Sequence, residues 1–367
     1  MSLGRKIWQT GWRAGVCLVL LGWLFNNIFL NEGKAAAQKQ HLSWERLTRW
    51  EQWQSGWKEG PAELWHNLAE VDAGAFGLSV LLMGSTLLIG VARWRMVLRV
   101  QGLGLPWGRA LEISLVAHFF NSFLLGATGG DLMKAYYAAR ETHHKKTEAV
   151  ITVLVDRLIG LWAMLLFAAL MMVPNRPVLF AHDRLRSLAA LILVMLALCS
   201  GVALTAFWGG VSRGWAGARR WLRRLPRGDW LERSLESCRQ FGKASFFVSR
   251  TAGVSMLLNA ACVLQVWVLS RGMNLNISPV ALAVIVPMII CISALPITPS
   301  GLGVRENLFV FTLTDPTIHL PATSALSLSL LAYAGSLIWS LVGGMVYLTL
   351  KERHHLTEEE LLAKTEG

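Results

Sequence analysis

Two glycine-rich breaks, each followed at once by charge, interrupt apolar stretches of this 367-residue chain. The first runs Gly126-Ala-Thr-Gly129-Gly130-Asp131, with Lys134 close behind. The second runs Pro296-Ile-Thr-Pro299-Ser300-Gly301-Leu-Gly303-Val-Arg305-Glu306. Glycine lets the backbone turn sharply and approach a ligand closely. A helix restarting after such a turn presents unpaired N–H groups, a ready site for phosphate or carboxylate. Asp131 could cap those N–H groups itself. Lys134 could reach a phosphate or snorkel to water. Arg305 has the geometry of a bidentate phosphate or carboxylate ligand; its alternative is an ion pair near Glu306 or with an acid elsewhere. Asp156 and Arg157 sit inside a further apolar stretch, followed by Gly160. Neighbours on a helix point about 100° apart, so each of the two needs another partner. Asp131, Lys134, Arg305 and Glu306 are the candidates. His118 and Asn121, three residues apart, are read as packing or backbone-bonding groups, with a proton relay as the alternative. Arg93-Trp94-Arg95 is read as an interfacial anchor at the end of a span.

The elements that must position these residues are membrane helices. The chain is 54% hydrophobic and only 16% charged, with mean hydropathy +0.44; soluble domains carry about 25% charge. Apolar runs of about 20 residues suffice to cross a bilayer, and they occur near 14–31, 74–98, 149–173, 187–210, 251–271 and 323–350. The net charge of +12 lies beside these runs. That placement fits the positive-inside rule and anionic lipid rather than nucleic acid. Segment 212–250 holds ten Lys and Arg against three acids, Asp229, Glu232 and Glu236, and is read as cytoplasmic. Both termini are then cytoplasmic as well, with 32–73 outside.

Charge and hydropathy close only if each broken segment returns to the side it came from. Segment 109–142 would enter and leave inside, and 279–314 would enter and leave outside. The expected fold is an all-α polytopic membrane protein of about six full spans plus two opposed re-entrant helical hairpins in an inverted repeat, an architecture of transporters. Eight plain spans with both breaks as surface loops is the competing arrangement. The expected organisation is an N-terminal helix and Trp-rich outside loop (1–73), a membrane domain (74–350, with halves 74–173 and 251–350) and a tail (351–367). The N-terminal run is read as a retained helix, with a signal cleaved after Ala35-Ala36-Ala37 as the alternative. Trp44, Leu47, Trp50, Trp53 and Trp57 recur every three or four residues, as on an amphipathic helix in the headgroup zone. The five cysteines show no metal or disulfide spacing, and no P-loop, GxSxG or HExxH pattern occurs. No cofactor, metal or catalytic group is expected.

Four stretches together resemble the lysylphosphatidylglycerol synthase transmembrane-region family, also called flippase-like domain proteins. They are Arg93-Trp94-Arg95, Gly126–Tyr137, Asp156-Arg157-Leu-Ile-Gly160-Leu161 and Leu295–Glu306. The patterns GGD…K…Y, DRxxGL and PxxxSGxGxRE carry the match, over roughly residues 74–350. Many relatives have Arg where this chain has Lys134. The resemblance implies a lipid-translocating membrane domain. The family's aminoacyl-transfer domain is not recognisable here, so lysyl transfer to lipid is not expected.

The sequence therefore leads to a lipid transporter of the cell membrane with a central polar cavity. Its partner is an anionic phospholipid headgroup or lipid-linked intermediate, and homo-oligomers are possible. Expected substrate-binding residues are Gly129, Gly130, Asp131, Lys134, Asp156, Arg157, Ser300, Gly301, Gly303, Arg305 and Glu306. A polytopic transferase acting on a lipid-linked substrate, or a non-catalytic scaffold, is the alternative.

Overall fold

A computed structural model describes residues 19, 22–23, 25–34, 36–37, 44, 47–123, 129–141, 146–181, 183–208, 241, 246–295, 298, 301–315, 318 and 320–365. Ser300, residues 124–128 and most of the basic segment 212–250 lie outside them. The chain is all-helical, 88% helix, with no strand among the described residues. In order the helices are α1 (Arg49–Ala69), α2 (Ala73–Val100), α3 (Trp107–Phe123), α4 (Gly129–Glu141), α5 (Lys146–Met172), α6 (Arg176–Ala181), α7 (Asp183–Trp208), α8 (Phe247–Gly272), α9 (Pro279–Ser293), α10 (Val304–Leu313) and α11 (Ala322–Thr365).

Five stretches are long and apolar enough to cross a bilayer: Ala73–Val100, Thr147–Met172, Leu185–Leu204, Phe247–Gly272 and Ala322–Thr349. They are five of the six expected spans; the first, near 14–31, is described only at residues 19, 22–23 and 25–31. α7 shows why water cannot be their solvent. Leu191, Leu193, Val194, Leu198, Val202 and Leu204 are all exposed along it, a contiguous apolar face that only lipid or protein would cover. The helices that flank the two breaks are shorter. α3 has 17 residues and α9 has 15, below the roughly 20 that a span requires.

The chain divides into two compact units. Unit 1 comprises Met1–Met83, Leu165–Leu193 and Asn259–Ser336; unit 2 comprises Gly84–Met164, Val194–Leu258 and Leu337–Gly367. Unit 1 contains α1, α9, α10 and the second break. α1 begins with a capping box: Thr48 Oγ1 accepts from the Glu51 N–H at 3.3 Å and Glu51 Oε2 accepts from the Thr48 N–H at 2.8 Å, which satisfies two helix-end donors. Gly56 and Gly60 bury the other side of α1. A Cβ on Gly56 would lie 2.9 Å from the Phe29 carbonyl oxygen, and one on Gly60 would lie 2.2 Å from the Phe29 ring. Small residues four apart allow this approach. Trp50, Trp53 and Trp57 form an exposed ladder along α1, with ring centroids 5.1 and 5.6 Å apart. The expected tryptophan face is therefore present, beginning after Trp44 and Leu47.

Unit 2 contains α3, α4 and the first break. Its core gathers Val91, Trp94, Leu98, Ile113, Val116, Tyr137 and Val153. α3 and α4 are antiparallel and joined at both ends. At the tip, the Gly130 N–H donates to Asn121 Oδ1 at 2.9 Å. At the base, Arg109 Nη2 lies 2.6 Å from Glu141 Oε1. Gly130 is required for this closeness, because a Cβ there would sit 2.0 Å from the Ala117 carbonyl oxygen.

Candidate functional site

Asp156 organises the charged cluster of unit 2. It lies about ten residues into α5, or ~15 Å along the helix, and is 6% exposed. Burying a carboxylate is tolerable only with charge partners and hydrogen bonds. Asp156 has two such partners. Arg93 Nε donates to its Oδ1 at 2.8 Å, and Lys134 Nζ donates to its Oδ2 at 3.3 Å. Gly160 lies one turn beyond Asp156 on the same face. A Cβ on Gly160 would meet the Arg93 guanidinium nitrogens at 2.9 Å. The D-R-x-x-G spacing thus supplies a carboxylate and the hollow beside it for one guanidinium. Arg93 Nη1 also reaches Ser255 Oγ at 3.2 Å.

Lys134 neither snorkels nor stands free. Its ammonium lies 4.2 Å above the Trp94 ring, a cation–π contact that completes its cage with Asp156. Arg157 projects from another face of α5 and pairs with Asp131, Nη1 to Oδ2 at 2.9 Å. This pair is the accessible part of the cluster: the Arg157 and Asp131 side chains are 41% and 31% exposed, whereas those of Arg93 and Lys134 are each 13% exposed. Three cations, Arg93, Lys134 and Arg157, thus share two carboxylates, Asp131 and Asp156.

Several expectations are corrected here. Arg93 is no interfacial anchor; it is the closest partner of Asp156, and Trp94 is fully buried beside it. Among the described residues α4 already includes Gly129 and Gly130, so Asp131 lies within the helix and not at its cap. Asn121 takes the Gly130 N–H, the backbone-bonding role expected of it, and the Asp131 carboxylate turns to Arg157. Gly129 and Gly130 are buried. One signal could have located Arg93 in the sequence. It lies seven residues before the end of α2, ~10 Å from that helix end, too deep for a residue that only anchors.

The second break, in unit 1, is built differently. Gly301 has φ +70° and Gly303 φ +81°, left-handed values that side chains with a Cβ resist. At Gly301 a Cβ would also meet the Ser293 carbonyl oxygen at 2.8 Å. Gly303 is the N-cap of α10. Its N–H donates to Glu306 Oε2 at 2.6 Å, and its carbonyl accepts from Asn307 Nδ2 at 2.6 Å. Glu306 is fully buried. Its Oε1 accepts from Arg305 Nη2, and the Arg305 guanidinium lies 4.2 Å over the Tyr333 ring. Of the expected partners for Arg305, the structure selects Glu306. Tyr333 had no sequence signal, because only the fold brings α11 beside the break.

A family model described as "Lysylphosphatidylglycerol synthase TM region" matches residues 53–344, which include both charged clusters, from Arg93 to Glu306. No curated protein matches the chain.

Proposed function

The chain belongs to the lysylphosphatidylglycerol synthase TM region family, and from that membership we propose that this multi-pass membrane protein moves a phospholipid or lipid-linked intermediate between leaflets. The observation that carries the reading is the Asp131–Arg157 pair. It is partly exposed and it sits on a second, sealed pair of contacts, Arg93–Asp156–Lys134. Ionisable groups at membrane depth mark substrate paths. The sealed contacts fix the geometry, and the accessible pair does the exchanging. A headgroup phosphate takes the place of Asp131 on Arg157; a cationic headgroup takes the place of Arg157 on Asp131. Where a headgroup carries both charges the two replacements occur together, one ion pair exchanging with another, and neither Asp131 nor Arg157 is left bare in hydrocarbon.

In this reading α3–α4 is a re-entrant hairpin, entering and leaving on the cytoplasmic side. The Arg109–Glu141 contact between its two ends and the short α3 support that placement. α9 and α10 form the opposed hairpin of an inverted repeat. Both termini are cytoplasmic and the membrane is the cell membrane. The proposed role is non-enzymatic: ion-pair exchange requires no covalent step.

Reconstitution into liposomes carrying a fluorescent phospholipid tests the proposal. Arg157→Gln and Asp131→Asn are expected to slow leaflet exchange at least tenfold while the protein elutes as a folded particle. Exchange at the unaltered rate in both variants would remove this pair, and the reading with it.

A further inference from the structure

The second break holds more buried donors than it has partners. Thr298 is 3% exposed and Ser329 is fully buried, and neither hydroxyl has a hydrogen-bond partner. Ser293 Oγ and Arg305 Nε are likewise buried and unpartnered. Native interiors pair almost all such groups, and each exception calls for a reason. These four belong to one place. Gly301 lies against Ser293 and its N–H bonds the Thr298 carbonyl at 3.3 Å. Arg305 stacks on Tyr333, and Ser329 lies one turn before Tyr333 on α11, on the same face.

Glu306 does not supply the missing acceptor. One of its oxygens is held by the Gly303 N–H and the other by Arg305. Its charge offsets that of Arg305. What remains unsatisfied beside Gly301 and Arg305 is three hydroxyls and one guanidinium N–H, next to the positive end of α10, a helix of 10 residues. We infer that the second break is an oxyanion site, taking a phosphate or carboxylate group through Thr298, Ser329, Ser293 and the Arg305 Nε–H. The guanidinium is held by Tyr333 below and Glu306 at its edge, so its orientation is set before a ligand arrives. That the oxyanion belongs to a lipid headgroup rests on the transport reading; the binding itself does not.

Thermal protection of the full chain in uncharged maltoside micelles tests this, with three probes: inorganic phosphate, dihexanoyl phosphatidic acid and dihexanoylglycerol. Phosphatidic acid is expected to raise the melting temperature and dihexanoylglycerol is not. Thr298→Val and Ser329→Ala each remove one hydroxyl and are expected to raise the half-protecting concentration about tenfold, the effect of one hydrogen bond to a charged group. Their unliganded melting temperatures stay level or rise, because an unpaired buried group is gone. Arg305→Lys keeps the charge, loses the Nε donor and weakens protection likewise. Protection by inorganic phosphate as well as by phosphatidic acid supports an oxyanion from any source; protection by phosphatidic acid alone supports the headgroup. Absence of protection in the parent chain overturns the inference, as does equal protection by dihexanoylglycerol or unchanged protection in both hydroxyl variants. The last pattern would mean that the hydroxyls hold only water. Failed leaflet exchange with protection intact would sink the transport reading and leave this site standing.

Discussion

At the scale of single residues, Asp156 decides what unit 2 tolerates. Removing Arg93 as Arg93→Met leaves a buried carboxylate with Lys134 alone, and breaking a buried pair in this way costs about 3–5 kcal/mol. Denaturant melts in detergent should show that loss. They should also show Arg93→Met with Asp156→Asn recovering part of it, because neighbours in one network are not additive. A double variant no better than Arg93→Met alone would mean that Asp156 does not depend on Arg93. That Asp156 needed a partner was legible from its depth in an apolar run. The identity of that partner was not. Arg93, Trp94 and Arg95 read as an interfacial triplet; the depth of Arg93 marks it as more than an anchor, but its seat on Asp156 is revealed by the approach of α2 to Gly160 on α5. Asp131 and Lys134 were correctly named as partners for the Asp156–Arg157 dipeptide. Glu306 could be read as a residue suited to a helix start, but not as one buried to zero exposure.

At the scale of elements, glycines and caps set the close approaches. Gly130→Ala would drive a Cβ into the Ala117 carbonyl; it should destabilise by about 1–3 kcal/mol or more, as overpacking does. Gly108→Ala, on the same hairpin, meets nothing within 4 Å. It should be neutral or stabilising by about 0.5–1 kcal/mol, since alanine is the better helix former. The two melts together separate a packing role from helix propensity. At α1, hydrogen bonds from the Thr48 backbone N–H and hydroxyl hold the Glu51 carboxyl below its ordinary value of 4.5. A depressed folded-state value means that the cap is fully present above the unfolded value and lost as pH falls through the folded one. Near-UV circular dichroism from the Trp50–Trp53 stack should therefore persist below pH 4.5 and then fade. Thr48→Ala should move the fading upward in pH. The Trp helix was legible because its spacing is helical. Its start was not, because the Thr48–Glu51 signature sits inside the run of tryptophans it terminates.

At the scale of the whole molecule, hydropathy alone located the five helices that, among the described residues, are long and apolar enough to cross a membrane, since about 20 apolar residues have few other uses. The re-entrant hairpins were an expectation drawn from the two glycine-rich breaks together with the charge balance around them. On a cysteine-free background, Gly104→Cys and Glu141→Cys flank the α3–α4 hairpin. In sealed vesicles both should react with impermeant maleimide from the same side; reaction from opposite sides would make the pair of helices cross the membrane. Glu306 has one last implication. Both its oxygens are committed within three residues of itself, so the corner from Gly301 to Asn307 owes its shape to short local bonds. Whatever swings or slides during a working cycle, that corner travels unbent, like a cast bracket carried by the helices bolted to it.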